Sequence, residues 1–188
     1  MLSKLQAIKN LRRGKIGIIP TDTLYGLVGR ALEKKVVERI YDVRERRPDK
    51  PLIILISLLD DLKLFGIKVD PKTKKVLEKY WPGQVSIILP CKYKKFEYLH
   101  RGTGGLALRL PADESLREIL LQTGPLVAPS ANPEGKEPAI NLAAARKYFG
   151  DKIDFYYGSG ELQSPPSTLI KVVKGKVEVL REGAVKIN

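Results

Sequence analysis

The chain has 188 residues, 43% hydrophobic and 29% charged, with 34 Lys and Arg against 21 Asp and Glu and a formal net charge of +13. A domain of this length buries about 70% of its unfolded surface, so a core without disulfide or metal staples is expected, and no low-complexity tract argues for disorder. One cysteine, Cys91, and one histidine, His100, exclude a disulfide framework, a Cys/His zinc site and a Ser-His or Cys-His triad; both residues are expected to serve ordinary packing or surface roles.

The positive excess, with a pI near 9.8, attracts polyanions such as RNA, nucleotides or acidic membranes without choosing among them. Much of the lysine falls on expected helix faces (Lys34, Lys35, Lys72, Lys74, Lys75, Lys79), where a solvated surface accounts for each residue singly. No run approaches the ~20 apolar residues of a membrane span, and the start, MLSKLQAIKNLRRGK, reads as an amphipathic helix without a signal core. A cytoplasmic protein is expected.

Helix and strand signals alternate along the chain. Ser3 can cap a first helix ending at Gly14, and KIGII (15–19) reads as a buried strand. KKVVERIYDVR places Val36, Val37, Ile40 and Val43 at helical spacing, and PLIILIS follows as a strand. Asp70 and Pro71 open a helix that the Trp81-Pro82-Gly83 break closes, before the strand VSIIL. LALRL then reads as a strand, DESLREILLQT as a helix, PLVAP as a short buried strand and NLAAARKYF as a helix capped by Asn141. IDFYY, STLIKVV and KVEVL end the chain as strands, the last two joined by a Lys174-Gly175 hairpin turn. The expected fold is α/β: one domain over residues 1–188, with a twisted mixed sheet and helices on both faces.

Four segments put polar groups at the ends of buried strands, where α/β proteins build ligand sites. PTDTLYGL (20–27) follows the first strand and reads as a turn with free backbone amides. RERRPDKPL (44–52) carries Arg44, Arg46, Arg47 and Lys50 at a helix end, more cations than a helix terminus needs and suited to a triphosphate. Arg109 interrupts an apolar strand in LALRLPAD; alternation could also turn it to solvent. PLVAPSANPEG runs from a strand into Ser130 and Asn132, whose hydroxyl and amide suit phosphate oxygens or ribose.

Together these segments resemble the YrdC-like family of threonylcarbamoyl-adenylate synthases. The family's motifs appear in order as PTDTLYGL, RERRPDKPL, WPGQVSIIL, LRLP, PSANPEG, PPSTLI and LREG, spread over residues 15–183. Arg44 stands where the family has Lys, Arg47 where it has Pro, Leu55 where His is frequent, Ser86 for Thr, and Glu134 for the Ser before Gly135. The chain resembles the short members that lack an extra C-terminal domain.

The resemblance implies formation of threonylcarbamoyl-AMP and pyrophosphate from L-threonine, bicarbonate and ATP, for modification of tRNA next to the anticodon. It implies Arg44, Arg46 and Lys50 as catalytic contacts to the triphosphate, Ser130 and Asn132 to the nucleotide, and Arg181 to the α-phosphate or ribose. Thr23, Arg109 and Ser167 are the implied threonine contacts, with Arg109 forking onto the carboxylate. Magnesium is expected to ride on the phosphates, with no protein metal site, and tRNA or a downstream tRNA threonylcarbamoyl transferase complex is the expected partner. The alternative is a non-catalytic basic module gripping tRNA or double-stranded RNA. A related carbamoyl-transfer chemistry is disfavoured, since those chains add acylphosphatase and zinc-finger modules.

Overall fold

The computed structural model describes residues 2–187. In chain order its helices are α1 (Lys4–Arg12), α2 (Lys34–Val43), α3 (Pro71–Tyr80), α4 (Glu97–His100), α5 (Glu114–Thr123) and α6 (Leu142–Phe149). The strands are β1 (Gly17–Pro20), β2 (Tyr25–Arg30), β3 (Ile53–Leu55), β4 (Val85–Pro90), β5 (Gly105–Arg109), β6 (Leu126–Val127), β7 (Phe155–Tyr156), β8 (Thr168–Val173) and β9 (Lys176–Arg181).

Helix starts follow local capping chemistry. Ser3 and Gln6 form a reciprocal capping box at α1, and Asp70 accepts from the amides of Lys72 and Thr73 ahead of Pro71 at α3. Asp113 and Asn141 cap α5 and α6 through the amides of Leu116 and Ala144. Val36, Val37 and Ile40 of α2 are buried as their spacing requires.

The described strands form one mixed nine-stranded sheet in the order β7-β1-β2-β6-β3-β5-β4-β8-β9. β8 and β9 make the antiparallel hairpin expected from Lys174-Gly175, while β3 and β5, and β4 and β8, run parallel. Two expectations need correction. The first strand begins at Gly17, and PTDTLYGL is a turn only as far as Leu24, because Tyr25–Arg30 pairs antiparallel with β1 as β2. A 3-10 helix at Leu59–Phe65 and the short α4 were not anticipated.

Strand alternation feeds two cores. Ile18 and Leu27 join α2, α3 and α6 on one face, whereas Ile19 and Val28 join Ala7, Ile8 and Leu11 of α1 and Leu116, Ile119 and Leu120 of α5 on the other. Leu55 belongs to this second face, and the β3–β5 register sets Leu55 beside Arg109 and Ile53 beside Ala107. Helices α1 and α5 cover the β1, β2 and β3 part of that face. Across β5, β4 and β8 the same face is open, and Ala107, Ile88, Leu169, Lys171 and Val173 floor a cavity of about 980 Å3. The half-covered sheet therefore makes the hollow.

Candidate active site

The cavity gathers the ends of strands that are distant in sequence. Thr21 and Thr23 enter from the β1–β2 turn, Arg109 from the end of β5, and Ser130 from the loop after β6. Arg44 and Arg46 reach it from the end of α2, Ser167 and Arg181 from the β8–β9 hairpin. One wall is the 157–166 segment, through Gln163, Ser164 and Pro166; the Tyr25 hydroxyl donates to the carbonyls of Ser159 and Gly160 at 3.0 Å each and holds this wall in place.

Arg109 points inward. Its side chain is 5% exposed and lies 2.9 Å from Asp22 Oδ1, itself 7% exposed, while Nη1 donates to Thr23 Oγ1 at 3.3 Å. Asp22 is held by backbone, since the Gln84 amide donates to its carbonyl. Burial pushes the Asp22 carboxyl above the usual carboxylate range against the pull of Arg109. Burial and then nearby Arg181 work against the Arg109 charge, which Asp22 supports, and the guanidinium stays protonated. Arg109 Nε is buried and has no hydrogen-bond partner among the described residues, so the fork keeps an unspent donor.

A second guanidinium also lines the cavity. Arg44, 5% exposed, donates from Nε to the Ser130 carbonyl at 3.0 Å and from Nη2 to Ser130 Oγ at 2.9 Å and Asn132 Oδ1 at 3.3 Å. Its Nη1 is buried without a partner. Burial lowers its pKa to about 10, helped by Arg46 and opposed by Glu134. Arg46 is fixed by its own loop, donating to the carbonyls of Lys50 and Pro51 at 3.1 and 3.0 Å. Arg181, also lining the cavity, donates to the Ser167 carbonyl at 2.7 Å, and Ser167 shares a 2.8 Å hydroxyl contact with buried Ser86.

Seven of the nine residues expected at the site therefore line one cavity: Thr23, Arg44, Arg46, Arg109, Ser130, Ser167 and Arg181. Two do not. Asn132 is buried behind Ser130, its amide nitrogen donating to the carbonyls of Pro133 and Lys136 and its oxygen accepting from Arg44, so it shapes the loop. Lys50 is turned to the rim, where it pairs with Glu134. Leu55 lies in the α1/α5 core and Cys91 and His100 are buried, the latter two as packing residues.

Sequence reasoning passed over Asp22, Lys92 and Lys171. Asp22 was findable on the inward reading of Arg109, because a buried guanidinium calls for a nearby anion. Lys171 was not, since its place on the cavity floor depends on the β4–β8 register.

The Sua5/YciO/YrdC family model, described as telomere recombination, matches residues 9–183. The chain belongs to this family. Among Sua5/YciO/YrdC relatives it is 33% identical over 184 residues to the threonylcarbamoyl-AMP synthase of Pyrococcus abyssi, covering 95% of this chain and 53% of that one. It thus spans about half the length of that relative. A Methanocaldococcus jannaschii relative is 33% identical over 181 residues, covering 96% of this chain and 85% of that one. The crystal structure of P. abyssi Sua5 complexed with L-threonine matches with a TM-score of 0.87 at 28% identity, over 97% of this chain and 55% of that chain. The Sua5/YciO/YrdC fold accounts for the mixed sheet with helices on both faces.

Proposed function

We propose that this chain is a threonylcarbamoyl-AMP synthase, joining L-threonine, bicarbonate and ATP and releasing pyrophosphate. The observation that carries the reading is a cavity in which buried guanidiniums, Arg109 and Arg44, each hold one donor unspent while facing hydroxyl side chains. Such donors suit carboxylate and phosphate oxygens and lose little by ordering, because their positions are already fixed.

The threonine amine takes up bicarbonate with loss of water, giving a carbamate. A carbamate oxygen then bonds to the α-phosphorus as the bond to pyrophosphate breaks. These steps need shelter, alignment and charge neutralisation, with no covalent protein nucleophile. Arg109 and Thr23 take the threonine carboxylate, and Ser167 lines the same end. Arg44 and Arg46 take phosphate oxygens, Ser130 the nucleotide, and Arg181 the α-phosphate or ribose side. Asn132 acts through the loop it ties.

Magnesium accompanies ATP, carried on its phosphates and water. The product is a labile mixed anhydride, so residues 1–188, acting as one domain in the cytoplasm, pass it to a transferase that modifies tRNA. A purely RNA-gripping module would leave the buried Arg109–Asp22 pair without a use.

Pyrophosphate release tests this reading. It should require ATP, threonine and bicarbonate together, and Arg109→Ala should raise the KM for threonine far more than that for ATP. Release at full rate without threonine or bicarbonate would overturn it.

A further inference from the structure

Four cations lie within seven residues after α2, yet they are not equivalent. Arg44 and Arg46 line the cavity. Arg47 is forked onto Asp49, with contacts of 3.1 and 2.8 Å, on the solvent side. Lys50 pairs with Glu134 Oε1, and Glu134 Oε2 accepts from the Arg47 backbone amide at 2.7 Å. The Glu134 amide in turn donates to the Arg44 carbonyl at 2.9 Å, which fixes this carboxylate against the cation segment.

A backbone N–H and a lysine ammonium converging on one oxyanion are the donors that phosphate sites employ. Here they sit one residue either side of the cavity-lining contacts, since Arg46 donates to the Lys50 carbonyl and neighbouring Pro51 lines the cavity. We propose that Glu134 is an internal competitor for phosphate: its carboxylate fills a rim oxyanion site made by the Arg47 amide and Lys50, and the terminal phosphates of a nucleotide must displace it. This rests on the nucleotide-binding reading above and adds Glu134 as a residue that sets affinity for the pyrophosphoryl part of ATP.

The Glu134 carboxyl is held down at about 2, by Lys50 first and by the Arg47 amide, so it is anionic at any working pH. Displacement therefore depends on a competing anion and not on protonation. Once Glu134 is moved aside, Lys50 is released to the phosphate and the rim gains one positive charge.

Calorimetric binding of inorganic pyrophosphate and of AMP to the wild type, Glu134→Gln, Lys50→Met and the double variant tests the proposal. Glutamine keeps an oxygen for the Arg47 amide but removes the competing charge. It should tighten pyrophosphate about fivefold, the scale of a half-exposed ion pair, and leave AMP unchanged. Lys50→Met should cost less than about twofold in the wild type and about fivefold in the Glu134→Gln background, where the ammonium is available. Unchanged or weaker pyrophosphate binding in Glu134→Gln, equal shifts for pyrophosphate and AMP, or the same Lys50→Met cost in both backgrounds would overturn it. Tighter pyrophosphate binding in a protein that makes no adenylate would support the rim site while removing the synthase reading. Adenylate formation with pyrophosphate affinity unmoved by Glu134→Gln would remove only the competitor.

Discussion

Asp22 and Arg109 are worth most to each other because both are buried. Asp22→Asn keeps the shape but leaves the buried guanidinium without its anion, so Arg109 should loosen and the KM for threonine should rise, and an unchanged KM would contradict the pairing. Arg44 carries a comparable structural duty: Arg44→Ala strands the Ser130 carbonyl and Asn132 oxygen, at a cost of about 2 kcal/mol, and Arg44→Lys, keeping one donor and the charge, should retain more activity. Acid stability separates two carboxyls. The Glu134 pKa falls from 4.5 to about 2 on folding, so its stabilisation is complete above 4.5 and disappears as pH drops through about 2. Asp22 is raised from 3.8, so its cost appears as pH climbs above that value. Glu134→Gln should therefore flatten part of the acid limb of a stability-against-pH curve, and an unchanged limb would contradict the pairing with Lys50. At this scale the sequence displayed the cations but not their partners. Lys50 reads as a free cation in the sequence, whereas the fold brings Glu134, 84 positions away, to its ammonium.

Strands and helices with strong local signals were legible, and β2 was not. YGLVGR carries two glycines, which depress strand propensity, and no clean alternation, because it is buried on both faces. The reason for Gly29 is tertiary: a Cβ there would come within 2.5 Å of Val36 Cγ1 and 3.0 Å of Ile40 Cδ1, so α2 rests directly on the strand backbone. Gly29→Ala should force α2 outward and cost about 1–3 kcal/mol, visible as a lower melting temperature. Because Arg44 and Arg46 follow α2, the same change should also weaken nucleotide binding; a variant with wild-type stability and affinity would contradict this packing. Leu55 shows the converse limit. Its place beside Arg109 in register makes it look like a site residue, yet α1 and α5 cover it.

For the whole molecule, the cavity absorbs only a few cations of a +13 chain, and the remaining surface charge should attract RNA weakly and without sequence preference. Titrations against tRNA should weaken by orders of magnitude between low and physiological salt if roughly six or more phosphates are contacted, whereas salt-independent binding would contradict a charge-driven surface. Helix boundaries and the mixed sheet followed from capping residues and the Lys174-Gly175 turn, but the hollow did not, because it arises from two helices covering half of one sheet face. That hollow is where the synthase reading stands or falls. The most direct measurement is mass spectrometry of the nucleotide product formed from ATP, magnesium, threonine and carbon-labelled bicarbonate. The account predicts a labile adenylate with the mass of threonine plus carbon dioxide plus AMP less water, carrying the label, and none when threonine or bicarbonate is omitted. An unlabelled product, or AMP alone with no dependence on threonine, would contradict it.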